Sequence, residues 1–346
     1  VNLIEESFTE ELSVKLGCSY FGNRILKHYR VDLDELRSMG CTYVVHTYSE
    51  NDMVFCHQAV ADLIGATKEA GLETWIDPWG VGKVFGGEAF SNFVMQNVDA
   101  MQVLSDGKPT GAACPNHPKF RDFMHQWIEA ASKTGAEVVM WDEPHFYIPT
   151  WMGGRPNTWG CRCDVCQDLF AKEFGYPMPN EETQDVKRFK ERSVRRFLTE
   201  MAADVAGKGL KNALCVLPHR DASHGTSNWS ELAQIGNLSV FGTDPYWYAS
   251  KKPVDEYVTQ ASREVVEICN QVGLEAQVWL QGFGIPAGRE DELLRAVEIM
   301  CECGVRNIAV WGIYACEHLS WIRPANPQLA WQKIKEAFAL ARRLAG

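Results

Sequence analysis

Short runs dense in β-branched and aromatic residues recur along the chain, and a stretch with helical spacing follows each. The runs are KLGCSYF (15–21), TYVVHTY (42–48), ETWIDPW (73–79), EVVMWDE (137–143), ALCVLPH (213–219), VFGTDPY (240–246), AQVWLQG (276–282) and NIAVWGI (307–313). Their length and β-branched or aromatic content predict buried strands. Between them, Leu63 and Ile64 share a face with Val60 and Thr67, and Leu293, Val297, Met300 and Gly304 follow i, i+4, i+7, i+11. Gly40, Gly71 and Gly304 stand just before the next strand, where a helix C-terminus favours left-handed backbone. Eight strand-then-helix repeats in 346 residues predict an α/β fold, a (β/α)8 TIM barrel. One domain over 1–346 is expected, with loop insertions at about 80–113 and 145–180. A doubly wound open sheet is the competing arrangement. No GxGxxG follows a strand to support it, and Gly282 and Gly284 in QGFGIPAG are only a turn signal.

In a barrel of this kind the C-terminal strand ends face the active site. Those ends offer Tyr20, His46 and Tyr48, Asp77 and Trp79, Asp142 and Glu143, His219 and Arg220, Asp244 and Tyr246, Gln281, and Trp311 with Tyr314. Carboxylates set between aromatic walls suit a sugar, whose C–H faces stack on rings while its hydroxyls seek acceptors. The expected carbohydrate-binding set is Tyr20, His46, Asp77, Trp79, His145, Tyr147, His219, Tyr246, Gln281, Trp311 and Glu317. Trp311 is expected to floor a sugar subsite and Trp151 to wall it, whereas Trp279, inside a strand, is expected to pack in the core. The loop 148–160, rich in Gly, Pro and Trp, reads as a pocket rim.

Composition narrows the classes. With 46% hydrophobic and 23% charged residues the chain can bury a large core. A net charge of −11 disfavours nucleic acid as a partner, and the longest basic cluster, Lys187–Arg196, reads as a solvated helix face. No apolar run reaches the ~20 residues needed to cross a bilayer, and the chain starts without a basic and apolar leader. Many of the twelve cysteines, among them Cys18, Cys215, Cys301 and Cys303, sit in apolar segments, as reduced thiols do. A cytoplasmic protein is expected, and a homo-oligomer is compatible with these features.

The stretch VMWDEPH (139–145) runs a buried strand straight into two adjacent carboxylates. Glycosidic cleavage needs one protonated carboxyl group and one negative or nucleophilic partner, about 5–5.5 Å away for retention or about 6.5–9.5 Å for inversion. Glu143 is the expected general acid/base, because a like charge beside it and partial burial both raise its pKa. Its partner is Asp142 or Asp244, with Asp77 and Glu317 as weaker candidates. Two adjacent carboxylates at a strand end cost stability unless something uses or neutralises them.

Three cysteines at C-x-C-x2-C spacing follow, in CRCDVC (161–166). That spacing is poor for disulfides and good for metal. Cys161, Cys163 and Cys166 with Cys114 of CPNHP would make a closed four-thiolate zinc site, structural because no coordination position stays open. The order CPNHPKFRDF (114–123), a strand ending in an acidic pair, then CRCDVCQDLFAKEFGYP (161–177), resembles the zinc-binding β-galactosidases over roughly 60 residues. The resemblance implies Glu143 as general acid/base and Cys114, Cys161, Cys163 and Cys166 as zinc ligands. It departs at two positions, with Asp142 where that family has Asn and Gln281 in VWLQGFG where it has the nucleophilic Glu; Gln cannot form a glycosyl ester. The DEP triplet also resembles the acidic pair of substrate-assisted hexosaminidases, in which Asp steadies the substrate's acetamido group and Glu protonates the leaving oxygen, a chemistry that requires no enzyme nucleophile.

The leading expectation is therefore a glycoside hydrolase acting on an oligosaccharide or glycoside. Two alternatives stand beside it. One is a sugar isomerase or epimerase holding a divalent metal through His46, His145, His219 and carboxylates, although no H-x-H or H-E-x-x-H motif is present. The other is a catalytically inactive carbohydrate-binding barrel.

Overall fold

Each of the eight expected strands forms, and each stops one to three residues before its hydrophobic run does. The computed structural model describes residues 14–150 and 154–345. Its barrel strands are β1 (Lys15–Tyr20), β2 (Tyr43–Thr47), β3 (Glu73–Asp77), β4 (Val138–Asp142), β5 (Lys211–Val216), β6 (Leu238–Thr243), β7 (Glu275–Gln281) and β8 (Asn307–Trp311). Prolines explain three of the early stops. Pro78, Pro218 and Pro245 have no N–H for a ladder, so β3, β5 and β6 release the chain before or beside them. Consequently Trp79, His219, Asp244 and Tyr246 sit on loops above the barrel and not in its wall.

Neighbouring strands pair in parallel in chain order, and β8 pairs β1 from Lys15↔Asn307 to Cys18↔Val310, closing a (β/α)8 barrel. Aromatics fill the interior. Tyr43 and Trp75 stack with centroids 4.5 Å apart, and a Cβ on Gly17 would lie 2.1 Å from the Tyr43 ring, so only glycine leaves Tyr43 its place. The polar tips inside are paired: the Tyr43 hydroxyl donates to Asn307 Oδ1 (2.6 Å), Gln277 Nε2 donates to Tyr43 Oη (2.8 Å), and Trp279 Nε1 donates to Gln277 Oε1 (3.0 Å).

Helices wrap the outside with the faces their spacing predicts. Val60, Leu63, Ile64 and Thr67 are buried on the helix His57–Glu69, and Leu293, Val297 and Met300 on the helix Glu292–Glu302; Gly40, Gly71 and Gly304 take positive φ after their helices. The basic cluster is not simply solvated. It lies on the helix Gln184–Gly207, where Arg192 and Arg196 pair with Glu173 (2.7 and 2.8 Å) and a buried Lys190 pairs with Glu182.

The two insertions carry secondary structure of their own. After β3 the chain forms an antiparallel hairpin, Met101–Val103 with Pro109–Ala113, and after β4 it forms the helix Asp164–Phe174. The buried Glu50 carboxylate anchors the first, accepting from Gly82 N–H (2.8 Å), Ser91 Oγ (2.6 Å) and Phe93 N–H (2.6 Å). A Leu104↔Gly160 bridge joins the two insertions. Among the described residues no helix is long and apolar enough to cross a membrane.

Candidate active site

At the end of β4 the chain turns sharply. Glu143 adopts φ 42°, a left-handed conformation that costs a residue with a Cβ about 1–3 kcal/mol and persists only where surroundings hold it. They do so from several sides. Glu143 N–H donates to Cys215 O (2.9 Å), His145 Nδ1 bonds to Glu143 O, and His145 N–H donates to Val84 O (2.9 Å). Gly86 N–H donates to Asp142 O (3.0 Å), bringing the loop after β3 onto the acidic pair. A Cβ on Gly86 would stand 2.4 Å from Asp142 Oδ2 and 3.0 Å from Glu143 Oε2, so this contact is made by bare backbone.

Asp142, Glu143 and Asp244 line a cavity of about 740 Å3 at the C-terminal mouth of the barrel. The Asp244 carboxyl, just past β6, is hydrogen-bonded to that of Glu143. Asp77, at the end of β3, lies beneath: it is fully buried, neither side-chain oxygen has a hydrogen-bond partner, and the charges of Asp142 and Glu143 act on it. Burial pushes all four carboxyls above their ordinary range; like charges add to the rise at Asp77, Asp142 and Asp244. Asp142 and Glu143 open onto the cavity, but at that depth bulk water no longer solvates them fully. The bond to Asp244 opposes the rise at Glu143 and reinforces it at Asp244.

Aromatic and neutral groups complete the cavity. Trp279, Trp311, Tyr246, Phe283 and Trp321 line it, with Tyr246 and Phe283 edge to face at 4.9 Å, and Trp311 backed by Phe21 at 5.3 Å. Trp279 is thus both core and cavity wall. His145, Tyr147 and His219 also line it, and burial lowers both histidines, His145 to about 4. The cations at the rim are engaged elsewhere: Lys83 Nζ donates to Gly87 O (2.9 Å) and Ala89 O (3.2 Å), and Arg155 pairs with Asp106 (2.9 Å).

Five of the expected binding residues lie outside this lining, and Asp77 beneath it makes a sixth. Tyr20 and His46 are register partners on β1 and β2, and strand alternation turns both toward the helices. Tyr20 donates to Asp32 Oδ2 (2.6 Å); His46 bonds Thr67 Oγ1 (3.0 Å), and burial lowers it to about 3. Trp79 packs against Phe21 at 5.6 Å. Gln281 is buried with both amide atoms engaged, Oε1 accepting from Tyr248 N–H (3.0 Å) and Nε2 donating to Phe283 O (3.0 Å). Glu317 accepts from Gln328 and faces His318 at 3.7 Å. Trp151 lies outside the described residues. Lys83, Gly86, Phe283 and Trp321 were not anticipated; the Gly86–Gly87 pair and a Trp in the loop after β8 were the only signals.

Beside the cavity, Cys114, Cys161, Cys163 and Cys166 converge, all buried, with sulfurs within 4.8 Å of one another. Cys114 Sγ lies 3.4 Å from Cys166 Sγ and 3.7 Å from Cys163 Sγ, close to the about 3.8 Å edge of a tetrahedron with 2.3 Å metal–sulfur bonds. Asn116 Nδ2 donates to Cys166 Sγ (3.3 Å) and Cys163 N–H to Cys161 Sγ (3.4 Å), which supplies a second shell. The cluster fits a metal ion. Among the described residues it is the group of three or more His, Cys, Asp or Glu that draws its ligand atoms together this closely.

No protein-family model matches the chain, and no curated protein matches it. Solved structures do. The catalytic domain of a β-amylase from Paenibacillus polymyxa aligns with TM-score 0.65 at 12% identity, over 94% of this chain and 98% of that one. A GH5_18 protein from Streptomyces cattleya, in complex with GlcNAc, aligns with TM-score 0.59 at 14% identity over 95% and 80%. A putative sugar phosphate isomerase/epimerase from Anabaena variabilis aligns with TM-score 0.51 at 12% identity over 96% and 98%. At such identities the likeness is one of fold, the (β/α)8 barrel, and the neighbours include both glycoside hydrolases and sugar epimerases.

Proposed function

We propose that the protein is a glycoside hydrolase in which Glu143 protonates the leaving oxygen, with Asp244 as its partner. The observation that carries this reading is the hydrogen-bonded Glu143–Asp244 pair at the floor of an aromatic-lined cavity, both carboxyls held above their ordinary range by burial. Such a pair retains a proton where an exposed carboxyl has lost it and delivers that proton as the glycosidic bond breaks. The carboxylate left behind, with Asp142, stabilises the positive charge developing on the ring. A covalent route through the seventh strand is not part of the proposal, because Gln281 is an amide whose polar atoms are already bonded to backbone. Carboxyls in hydrogen-bonding contact stand closer than the spacing of either retention or inversion, so Asp244 serves as proton partner to Glu143, and the route open to the site is an acetamido group of the substrate steadied by Asp142.

The epimerase reading rests on the barrel neighbours, since among the described residues no three His or carboxylate ligand atoms of the mouth converge as the four thiolates do. In the proposed enzyme the cysteine cluster holds zinc, which cross-links the start of the helix Pro118–Ser132 to the loop after β4. The testing experiment is a panel of aryl-glycosides, N-acetylhexosaminides included, assayed with wild type, Glu143→Gln and Asp244→Asn. Glu143→Gln is expected to lose about 10²–10⁴-fold in kcat while keeping wild-type circular dichroism. Full activity in that variant would remove Glu143 from the chemistry. Turnover confined to N-acetylhexosaminides points to substrate assistance.

A further inference from the structure

Trp321 combines two properties that seldom occur together: it is 84% exposed, and its backbone is tied down on both sides. Before it, Ser320 Oγ donates to Glu88 Oε1 on the loop after β3, and Ser320 N–H donates to Cys316 O (3.2 Å). After it, Ile322 O accepts from Gly284 N–H (2.7 Å) on the loop after β7, and Ala325 N–H donates to Ile285 O (2.9 Å). The Trp321 side chain lines the same cavity as Asp142, Glu143 and Asp244. An indole left in water forgoes the hydrophobic gain of burial, whereas one presented on a fixed loop has already met much of the ordering cost of binding. The cavity of about 740 Å3 also exceeds what one ring needs, since about 150 Å3 suffices to enclose a six-membered carbon ring.

We infer that Trp321 is a stacking platform for a sugar ring beyond the one whose bond is cleaved, so that the substrate is an oligosaccharide and not a simple monosaccharide glycoside. This rests on the glycosidase reading above. A pyranose presents an apolar C–H face that lies flat on an indole while its equatorial hydroxyls stay in water. Trp321 is therefore a specificity residue, acting on length and not on bond cleavage.

The test measures binding and is independent of turnover. Glu143→Gln protein, which retains its cavity, is titrated calorimetrically with neutral β-1,4-gluco-, β-1,4-manno-, α-1,4-gluco- and N-acetylglucosamine oligosaccharides of one to six units, alone and combined with Trp321→Ala or Trp321→Phe. In at least one series, affinity is expected to rise with length. Trp321→Ala should weaken the longer ligands about ten-fold, equivalent to ~1.4 kcal/mol, and leave the monosaccharide unchanged, while Trp321→Phe keeps most of the gain. A length-dependent rise that survives Trp321→Ala overturns the platform and leaves the glycosidase reading standing. Failure of every series to bind overturns both. Size-exclusion chromatography adds a further check: a dimer that becomes a monomer in Trp321→Ala would make the residue a subunit contact, overturning the inference.

Discussion

The Asp244 carboxyl is hydrogen-bonded to that of Glu143, although the two leave strands separated by β5. Barrel closure brings together groups 101 positions apart in the chain (244 − 143). Glu143 adopts φ 42° in the pair, and the Cys215 carbonyl, His145 and the Gly86 contact hold the backbone there. The strain is thus located at the proposed acid and compensated by its neighbours.

Asp77 makes the carboxyl cluster costly at neutral pH. Burial first, then the charges of Asp142 and Glu143, raise its pKa, so between the unfolded value of about 3.9 and the folded value the native state binds more protons than the unfolded one. Stability then falls as pH rises through that window. Asp77→Asn removes the ionisable group, and is expected to stabilise the protein by about 1–3 kcal/mol near pH 8, with the gain shrinking toward pH 4. Urea unfolding at several pH values checks this; a difference from wild type that does not change with pH would show that Asp77 ionises freely.

Gly86 tests how closely the acids are positioned. In Gly86→Ala the new methyl would need the space of Asp142 Oδ2, 2.4 Å away, and would press on Glu143 Oε2 at 3.0 Å. Displacing catalytic groups by about 1 Å can cost on the order of 10²-fold in rate. A fall in kcat of that order, with little change in thermal midpoint, is expected. Unchanged kcat would place the chemistry away from this pair.

The sequence carried much of the barrel and less of the site. The eight strands were legible because β-branched runs alternate with helical spacing, and Glu143 because charge ends a buried run at VMWDEPH. Tyr20 and His46 share that signature but point outward, since alternation over one residue decides the face and hydrophobicity alone does not reveal it in a strand buried on both sides. Gln281 reads as a lost nucleophile, yet in the fold its amide ties together the loops after β6 and β7. Trp321 lies past β8 in an irregular loop, where no period marks it. The cysteine cluster was readable because three of its members are local and CPNHP offers a fourth; Cys114, 47 residues ahead of Cys161 (161 − 114), is brought beside them by the fold.

The four thiolates predict a metal and a consequence of removing it. Purified protein is expected to contain about one zinc per chain by elemental analysis, and Cys163→Ser to lose it. Because Cys114 precedes the helix Pro118–Ser132 and Cys166 lies in the helix Asp164–Phe174, loss of the ion removes one of the links between the two insertions and leaves the Leu104↔Gly160 bridge to hold them. A thermal midpoint lowered by several degrees and four newly titratable thiols are expected after chelation. Metal-free protein of unaltered stability would show that the cysteines act only as buried apolar side chains.

Gln281 bears on which group faces Glu143. Its Oε1 accepts from Tyr248 N–H and its Nε2 donates to Phe283 O, both at 3.0 Å, in a buried position. In Gln281→Glu the first bond survives, but the second oxygen faces a carbonyl acceptor, and a buried acceptor without a donor costs about 1–3 kcal/mol. Protonation would restore the donor, so the introduced carboxyl should have a raised pKa in the folded state, and the loss of stability should grow as pH rises above the ordinary carboxyl range of about 4.3. Activity is expected to stay at or below the wild-type level, because the carboxyl is held against the Phe283 carbonyl and not presented to the substrate. Incubation of the variant with a fluorinated aryl-glycoside followed by intact-mass spectrometry provides the contrary outcome. A stable glycosyl adduct on this position would mean that β7 faces the anomeric carbon after all and that Asp244 is not the partner of Glu143.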